Sequence, residues 1–233
     1  MGDKNNGFWL SISDLMSGLM VIFLFISIAY MREIKEVITV IIEITDGFQD
    51  TEQSLYDELI KEFKNDLEDW NAEIDRETIS FVFKEPDVLF EKGEYDLKPK
   101  FKEILHDFFP RYAEVLHSTD FKEDVTSIRI EGHTSSEWKQ DTPERDAYIF
   151  NLWLSQMRSS SVLEFVLSKH LNGSYKWVRD RLQAVGYSSS KIKYDPQGIE
   201  DKDLSRRVEF RAVTNAQEKI YELVSLTAKE KVL

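Results

Sequence analysis

Cysteine is absent from the 233-residue sequence, and the four histidines lie far apart. Without cysteine the chain has no disulfide framework, no thiol nucleophile and no zinc–thiolate site. No HExxH, phosphate-loop or GxGxxG motif occurs either, and these are the patterns that place catalytic or phosphate-binding groups at a fixed spacing. We therefore predict no enzyme activity, no catalytic residue, no metal site and no cofactor.

Positive charge is also scarce. The sequence has 30 lysines and arginines against 43 aspartates and glutamates, which gives a formal net charge of −13. Proteins that bind nucleic acids need a basic surface to neutralise the phosphates. We therefore expect no direct binding of nucleic acid. The length suits one ordinary globular domain with a shorter additional element.

One long apolar run, 10–31, reads LSISDLMSGLMVIFLFISIAYM. It has the length that a helix needs to cross the hydrocarbon core of a membrane. A cleaved signal peptide is the alternative, because Ser27 and Ala29 form a small-x-small pattern near its end. A signal peptide, however, begins with a basic segment and continues with an uninterrupted apolar region. Here only one lysine precedes the run, and Asp14 interrupts it. We therefore predict a transmembrane helix at 10–31 after a short segment at 1–9.

Asp14 is the only ionisable residue of that run. A carboxylate near the membrane centre costs about 2.5–3.5 kcal/mol on insertion scales, so it normally faces protein or water and marks an ion path. Gly18 shares its helical face, and Ser17 and Gly18 are small enough to let neighbouring helices approach. We predict that Asp14, Ser17 and Gly18 form an ion-translocation site for H⁺, with Na⁺ as the alternative. For Asp14 alone, the structural alternative is a helix cap at the membrane interface.

Two amphipathic helical patterns follow, one over 34–48 and one over 55–74, with Gly47 as the expected break between them. Segment 45–77 holds twelve acidic and three basic residues, which is typical of a solvated helical face. We predict a helical spacer at 32–77. Its apolar stripe requires a partner, either the same stripe of a second copy or the next domain. A plug that blocks an ion path before activation is a further alternative.

The remaining sequence alternates between strand and helix patterns. Strand patterns occur at 78–83, 125–134 and 206–213. Helical periodicity begins at Lys98 and again covers 146–171, and a short helix leading into a strand is expected at 178–185. Residues 216–233 are predicted as a terminal helix. The order β-α-β-α-β-β predicts an α+β fold with the helices on one face of the sheet.

Three motifs stand out in this region: IEGHTSSE at 130–137, Asn151-x-x-Leu154-Ser155-x-x-Arg158, and Ser205-Arg206-Arg207-Val208-Glu209. Together they resemble the OmpA-like peptidoglycan-binding domain. The run VLFEKGEYDLKP also resembles the opening of that domain, so the resemblance covers 78–215. It implies binding to the diaminopimelate of the peptidoglycan stem peptide. The implied binding residues are Thr134, Ser135, Asn151, Leu154, Arg158 and Arg206.

The spacing within the second motif makes physical sense without the resemblance. Asn151, Leu154 and Arg158 fall on one face of a helix. Arginine can bind a carboxylate through two parallel charge-assisted hydrogen bonds, and asparagine supplies both a donor and an acceptor. Leu154 could equally belong to the core. Arg206 and Arg207 could line the pocket or pair with acidic neighbours, and we interpret His133 as structural rather than as a metal ligand.

One position departs from the family pattern. The family usually has an aspartate after His-Thr, where it receives the ammonium group of the ligand, and this chain has Ser135. A neutral hydroxyl lacks the charge pairing, so recognition should be weaker or altered. Glu137, Asp141 or Asp146 could compensate.

The apolar run also resembles a known helix. Asp14-Leu15-Met16-Ser17-Gly18-Leu19-Met20 is similar to the transmembrane helix of MotB-type stator proteins, which combine such a helix with an OmpA-like domain. The resemblance implies a single-pass protein of the bacterial inner membrane, with a cytoplasmic N-terminus and a periplasmic spacer and domain. It also implies a homodimer inside a pentamer of MotA-like A subunits. By itself, the charge around the helix mildly favours the opposite orientation.

Two features distinguish the chain within this class. The segment before the apolar run is short and lacks the basic run typical of flagellar MotB, and GHTSSEW replaces the usual motif. In these features the chain most resembles the B subunits of Zorya antiphage defence systems. We therefore expect a B-type stator subunit of an ion-driven rotary motor, anchored to peptidoglycan and acting in antiphage defence. A flagellar stator subunit and a membrane-tethered peptidoglycan anchor without ion transport are the alternatives.

Overall fold

The structure is a computed structural model that describes residues 3–84, 89–168 and 174–215, with side chains from Ile12 onward except at 40–41 and 43–50. The predicted terminal helix at 216–233 lies outside the described residues. The described chain divides into two compact units. One takes in the chain up to Phe48, and the other begins at Gln49 and includes the rest of the described residues.

The first helix, α1, runs from Asp3 to Phe63. No proline occurs in this range, and α1 contains a stretch, Ile12–Thr39, that is long and apolar enough to cross a membrane, with a mean hydropathy of 2.1. The predicted break at Gly47 is wrong, because α1 continues through it. A single glycine costs a helix only about 1 kcal/mol, and amphipathic helical sequence lies on both sides.

The last turns of α1 belong to the core of the second unit. Leu55, Leu59 and Phe63 are fully buried there, and the Phe63 ring lies 5.3 Å from the Phe108 ring. This part of the predicted apolar stripe therefore packs on its own domain, which was one of the two partners expected for it.

The prediction that the spacer stays helical to residue 77 is wrong. After Phe63 the chain turns, and strand β1 (Ala72–Asp75) pairs antiparallel with strand β2 (Ser80–Phe83). Asp75 closes the hairpin, since its carboxylate accepts hydrogen bonds from the backbone N–H groups of Glu77 and Thr78, both at 3.0 Å. Such side-chain bonds to the backbone stabilise turns in competition with helix.

The second unit contains a five-stranded sheet in the order β1-β2-β7-β3-β4. The other strands of this sheet are β3 (Val125–Gly132), β4 (Leu182–Gly186) and β7 (Val208–Thr214). Strands β3 and β4 are parallel, and the remaining pairs are antiparallel. A separate pair, β5 (Lys193–Tyr194) and β6 (Glu200–Asp201), lies between β4 and β7 in the sequence.

Two long helices, α2 (Pro99–Leu116) and α3 (Glu144–Leu167), cover one face of the sheet. Phe81 and Ile130 are both register partners of Phe210, and these side chains point to the same face. Phe108 of α2 packs against that row, 4.5 Å from the Phe81 ring and 5.0 Å from the Phe210 ring. Short helices α4 (Tyr175–Arg179) and α5 (Lys202–Ser205) complete the unit. The predicted α+β order is confirmed as β2, α2, β3, α3, β4 and β7.

The contact between α3 and the sheet depends on two glycines. A Cβ atom at Gly132 of β3 or at Gly186 of β4 would lie less than 3.0 Å from main-chain atoms of Ser155 and Gln156, respectively. Real Cβ atoms are not found at such distances, so only glycine allows this approach. The close contact brings the middle of α3 to the ends of β3 and β4, where the candidate site lies.

Candidate functional site

The residues implied by the OmpA-like resemblance surround one cavity of about 730 Å³. The predicted residues that line it are Thr134, Ser135, Asn151, Leu154, Arg158 and Arg206. They come from the segment after β3, from α3 and from the turn after α5. The structure thus brings together side chains that are more than seventy positions apart in the sequence, as Thr134 and Arg206 show.

Arg158 forms the most buried cationic part of the cavity wall and is only 6% exposed. Its Nε donates a hydrogen bond to the carbonyl of Glu94 at 2.8 Å and its guanidinium lies 4.8 Å from the centre of the Phe90 ring. Burial, together with the positive charge of Arg206, lowers the pKa of Arg158 to about 10, so the group stays charged at neutral pH. Among the described residues, no carboxylate forms an ion pair with it within 4.0 Å. The cavity therefore offers a fixed positive charge to a ligand.

Polar neighbours of Arg158 complete this wall. The amide of Asn151 donates a hydrogen bond to the carbonyl of Glu137 at 3.2 Å, and Arg206 is paired with Asp203. The hydroxyl of Thr134 is buried and has no hydrogen-bond partner within the described part of the chain. Leu154 is both buried and part of the lining, so its two expected roles are compatible. The arrangement can bind an anionic group that also accepts hydrogen bonds.

The structure separates the residues that could compensate for Ser135. Glu137 lines the cavity, whereas Asp141 and Asp146 are not among its lining residues. Glu137 forms an ion pair with Lys202 at 3.3 Å. Glu94 also lines the cavity, and it was missed in the sequence. The signal available for it was its position inside the family-like run VLFEKGEYDLKP.

Arg207 and His133 lie next to the cavity residues in sequence but do not line the cavity. Arg207 pairs with Glu209, with Nε 2.6 Å from Oε1, and donates to the carbonyls of Lys191 and Ser205. It therefore takes the acid-pairing role that was one of its two expected roles. His133 stacks on Tyr187 at 5.1 Å, and burial lowers the pKa of its imidazole below the usual value.

The residues of the predicted ion site lie together on α1. The Asp14 side chain is exposed on the helix surface, and the Ser17 hydroxyl donates to the carbonyl of Ser13 at 2.8 Å. A Cβ atom placed on Gly18 would meet no atom within 4 Å. This face of the helix can therefore accept a closely packed neighbour, which is the property that the small residues predicted.

Comparisons with known proteins agree with this fold. No protein-family model matches the chain. A crystal structure of a MotB-like protein from Desulfovibrio vulgaris superposes with a TM-score of 0.51 at 20% identity, covering 73% of this chain and 98% of that one. The structure of the cell wall anchor of the type VI secretion system from Pseudomonas aeruginosa superposes with a TM-score of 0.45 at 17% identity, covering 67% of this chain and 96% of that one. The second unit has the fold of the MotB-like protein from Desulfovibrio vulgaris.

The sequence itself identifies the family. The chain is 46% identical over 223 residues to the Zorya protein ZorB from Escherichia coli, covering 95% of this chain and 94% of that protein. The chain belongs to the ZorB family. The predicted resemblance to Zorya B subunits is confirmed, and membership of this family agrees with the prediction that the protein is not an enzyme.

Proposed function

We propose that the protein is a B-type stator subunit that anchors an inner-membrane, ion-driven motor to peptidoglycan and acts in antiphage defence. The observation that carries the proposal is the cavity around Arg158. A buried guanidinium without an ion-pair partner among the described residues lies beside Asn151 and Thr134 in a chain of the ZorB family. Buried charges are costly unless they are paired, so a site of this kind favours an anionic ligand.

The ligand that fits this wall is the diaminopimelate of the stem peptide. Its carboxylate would accept hydrogen bonds from Arg158, as arginine forks do with planar carboxylates. Its ammonium group needs an acceptor, and Ser135 has no charge to offer. Glu137, which lines the same cavity, is our proposed acceptor in place of the aspartate usual in the family. The ammonium group of the ligand would then replace Lys202, which forms an ion pair with Glu137 in the structure.

The proposed topology follows from the location of the ligand. Peptidoglycan lies outside the inner membrane, so a domain that binds it has to be periplasmic and the start of α1 cytoplasmic. The apolar stretch Ile12–Thr39 supports a single crossing. The charges near it, with Arg32 and Lys35 on the proposed outer side, oppose this orientation only weakly, because the positive-inside rule depends on larger differences.

Asp14 is the proposed carrier of the ion, H⁺ rather than Na⁺, with Ser17 and Gly18 beside it. Moving one charge across a membrane yields about 2.3 kcal/mol per 100 mV, and a carboxylate that takes up and releases H⁺ can couple this work to a neighbour. We propose that two copies of the chain stand within a pentamer of MotA-like A subunits. The open surface at Gly18 supports such close packing, and the exposed Ile149 and Trp153 of α3 support self-association.

The binding proposal is tested with purified sacculi. In the full chain, solubilised in detergent, Arg158→Ala should reduce cosedimentation with sacculi by about 10-fold to 100-fold, since charge-assisted hydrogen bonds contribute about 1.5–3 kcal/mol. Arg145→Ala is the matched control, because Arg145 is an exposed arginine of the same helix. Near-UV circular dichroism of each variant checks that the domain is folded. Unchanged retention of a folded Arg158→Ala variant would remove this cavity from the proposal.

A further inference from the structure

A second group of polar side chains meets on the opposite face of the sheet from α2 and α3. Glu131 of β3 and Glu209 of β7 are register partners. They alternate with Ile130 and Phe210, which face the helices, so the two carboxylates point to the other face. His133, which follows β3, completes the group, and the three residues are buried.

The distances within this group do not fit direct hydrogen bonds. His133 Nε2 lies 3.6 Å from Glu131 Oε2 and 3.7 Å from Glu209 Oε1, and N–H···O bonds are normally about 2.7–3.2 Å long. The three ligand atoms all lie within 4.8 Å of one another. Two atoms bound to one zinc ion at about 2.1 Å, with a tetrahedral angle between them, are about 3.4 Å apart. The two distances from His133 to the carboxylates are therefore close to those between ligands that share one ion.

The unsatisfied hydrogen-bonding groups of the cluster also favour a bound metal ion. Within the described residues, Glu131 Oε1 and both ring nitrogens of His133 have no hydrogen-bond partner, although the two side chains are each only 1% exposed. Buried polar groups in this state are costly. Arg207 offsets the charge of Glu209 through its contact with Oε1 at 2.6 Å. Glu131 has the positive charges of Lys191 and Arg211 and the His133 ring nearby, which lower its pKa despite burial, but its Oε1 accepts no hydrogen bond from the described residues. A divalent cation would supply the partner that these buried oxygen and nitrogen atoms lack.

We propose that Glu131, His133 and Glu209 form a binding site for a divalent transition metal ion of the zinc class. One imidazole nitrogen and two carboxylate oxygens are ligands that zinc accepts. Arg207 would orient the Glu209 carboxylate from outside, as hydrogen-bonding neighbours of metal ligands do. Sequence reasoning had given His133 a purely structural role, and the geometry assigns it a ligand role as well.

The site has a consequence for the neighbouring cavity. Thr134 follows His133 directly and Arg206 precedes Arg207, so two residues of the cavity wall are joined to the metal group through the backbone. An ion held between β3 and β7 would fix both. The proposed ion is structural, and its binding can be measured without reference to peptidoglycan.

The test uses the full chain in detergent, freed of any affinity tag and stripped of metal with a chelator. Equilibrium dialysis against Zn²⁺, followed by metal analysis, should give one bound ion per chain, and Co²⁺ should produce the visible absorption bands of a bound site. His133→Asn and Glu209→Gln should each weaken Zn²⁺ binding at least tenfold. His106→Ala is the control, since His106 is exposed on α2, and it should bind as the unchanged chain does.

Two results would overturn the proposal. One is the lack of any saturable Zn²⁺ binding by the unchanged chain. The other is binding that persists in the substituted chains, which would place the ion elsewhere. If His133→Asn does not fold, Glu131→Gln replaces it, because this substitution keeps the shape of the side chain. The rise in melting temperature on adding Zn²⁺ is then measured for this variant and for the unchanged chain. A rise equal to that of the unchanged chain counts against the site, and a smaller one supports it.

Discussion

Phenylalanine plays opposite parts in the two units of this chain. On α1, Phe23 is 61% exposed and Phe25 is 66% exposed, whereas Phe81, Phe108 and Phe210 of the second unit are fully buried. The difference comes from pattern rather than composition. Consecutive apolar residues make a helix that is apolar on every side and requires a lipid or protein environment. Spaced apolar residues give each element of the second unit one face to bury.

The two units also differ in the environment of a charged side chain. Arg158 is buried, but backbone carbonyls and an aromatic ring surround its guanidinium. Asp14 lies on an open helix surface among apolar side chains. The first arrangement is complete within one chain, apart from its proposed ligand. The second lies open on its helix, and the proposed assembly would supply its neighbours, which is why we propose it as the ion carrier.

The largest expected effect is that of Asp14→Asn. Replacing the carboxylate by an amide of the same size removes ionisation while the helix keeps its length and polarity. We expect complete loss of protection against phage, with an unchanged amount of protein in the membrane fraction, measured by plaque assays and immunoblotting. Asp3→Asn, which removes a charge outside Ile12–Thr39, should retain protection. Full protection by the Asp14 variant would favour the tether without ion transport.

A substitution in the aromatic core should test the difference between the two groups of phenylalanines. Phe108→Ala should lower the free energy of unfolding of the second unit by about 3–5 kcal/mol, the usual cost of emptying a buried aromatic site. Phe23→Ala should leave that unfolding transition unchanged, because the side chain belongs to the other unit. Urea unfolding followed by tryptophan fluorescence measures both. Equal losses from the two substitutions would contradict the comparison.

Substitution of a glycine at the contact between α3 and the sheet should also destabilise the second unit, but by less than Phe108→Ala. Gly132→Ala forces a methyl group against the Ser155 backbone and should cost about 1–3 kcal/mol, the usual range for overpacking. Gly18→Ala meets no atom within 4 Å and should leave the second unit as stable as before. Thermal unfolding of the two variants checks this. A Gly132→Ala chain of unchanged stability would show that α3 can move away from the sheet freely.

The smallest expected effect concerns Asp75. Burial acts to raise its pKa, but the backbone N–H groups of Thr78 and Glu77 outweigh it, so the pKa lies below the usual 3.8. The carboxylate therefore adds stability above that value, and this contribution is lost as pH falls through the lower, folded-state pKa. Asp75→Asn should melt at a lower temperature than the unchanged chain at neutral pH. The difference in melting temperature between the variant and the unchanged chain should become smaller as pH falls from about 4 to 2.

Exposed Asp96 supplies the control for this pH series. Asp96→Asn should follow the unchanged chain at every pH. A gap for Asp75→Asn that stays constant in acid would show that the hairpin does not depend on the ionised carboxylate.

Sequence reasoning succeeded where a pattern is local. The strand alternation of 125–134 and the spacing of Asn151 to Arg158 specify β3 and one face of α3, so the fold class and the grouping of cavity residues followed. It failed at 72–77, where the helical spacing of Ile74 continues an earlier pattern but strand pairing with β2 prevails. It also missed Glu94, because a residue in a loop reaches the cavity only through the tertiary fold.

The glycines at the contact between α3 and the sheet have a mechanical consequence. Main-chain atoms of α3 meet the sheet directly at Gly132 and Gly186. The side chain of Gln156 also accepts a hydrogen bond from the backbone N–H of Gly186 at 2.9 Å, so the contact resists a sideways pull. In the proposed role as the anchor of a motor, this rigid contact would keep the ligand-binding cavity fixed relative to the sheet under load.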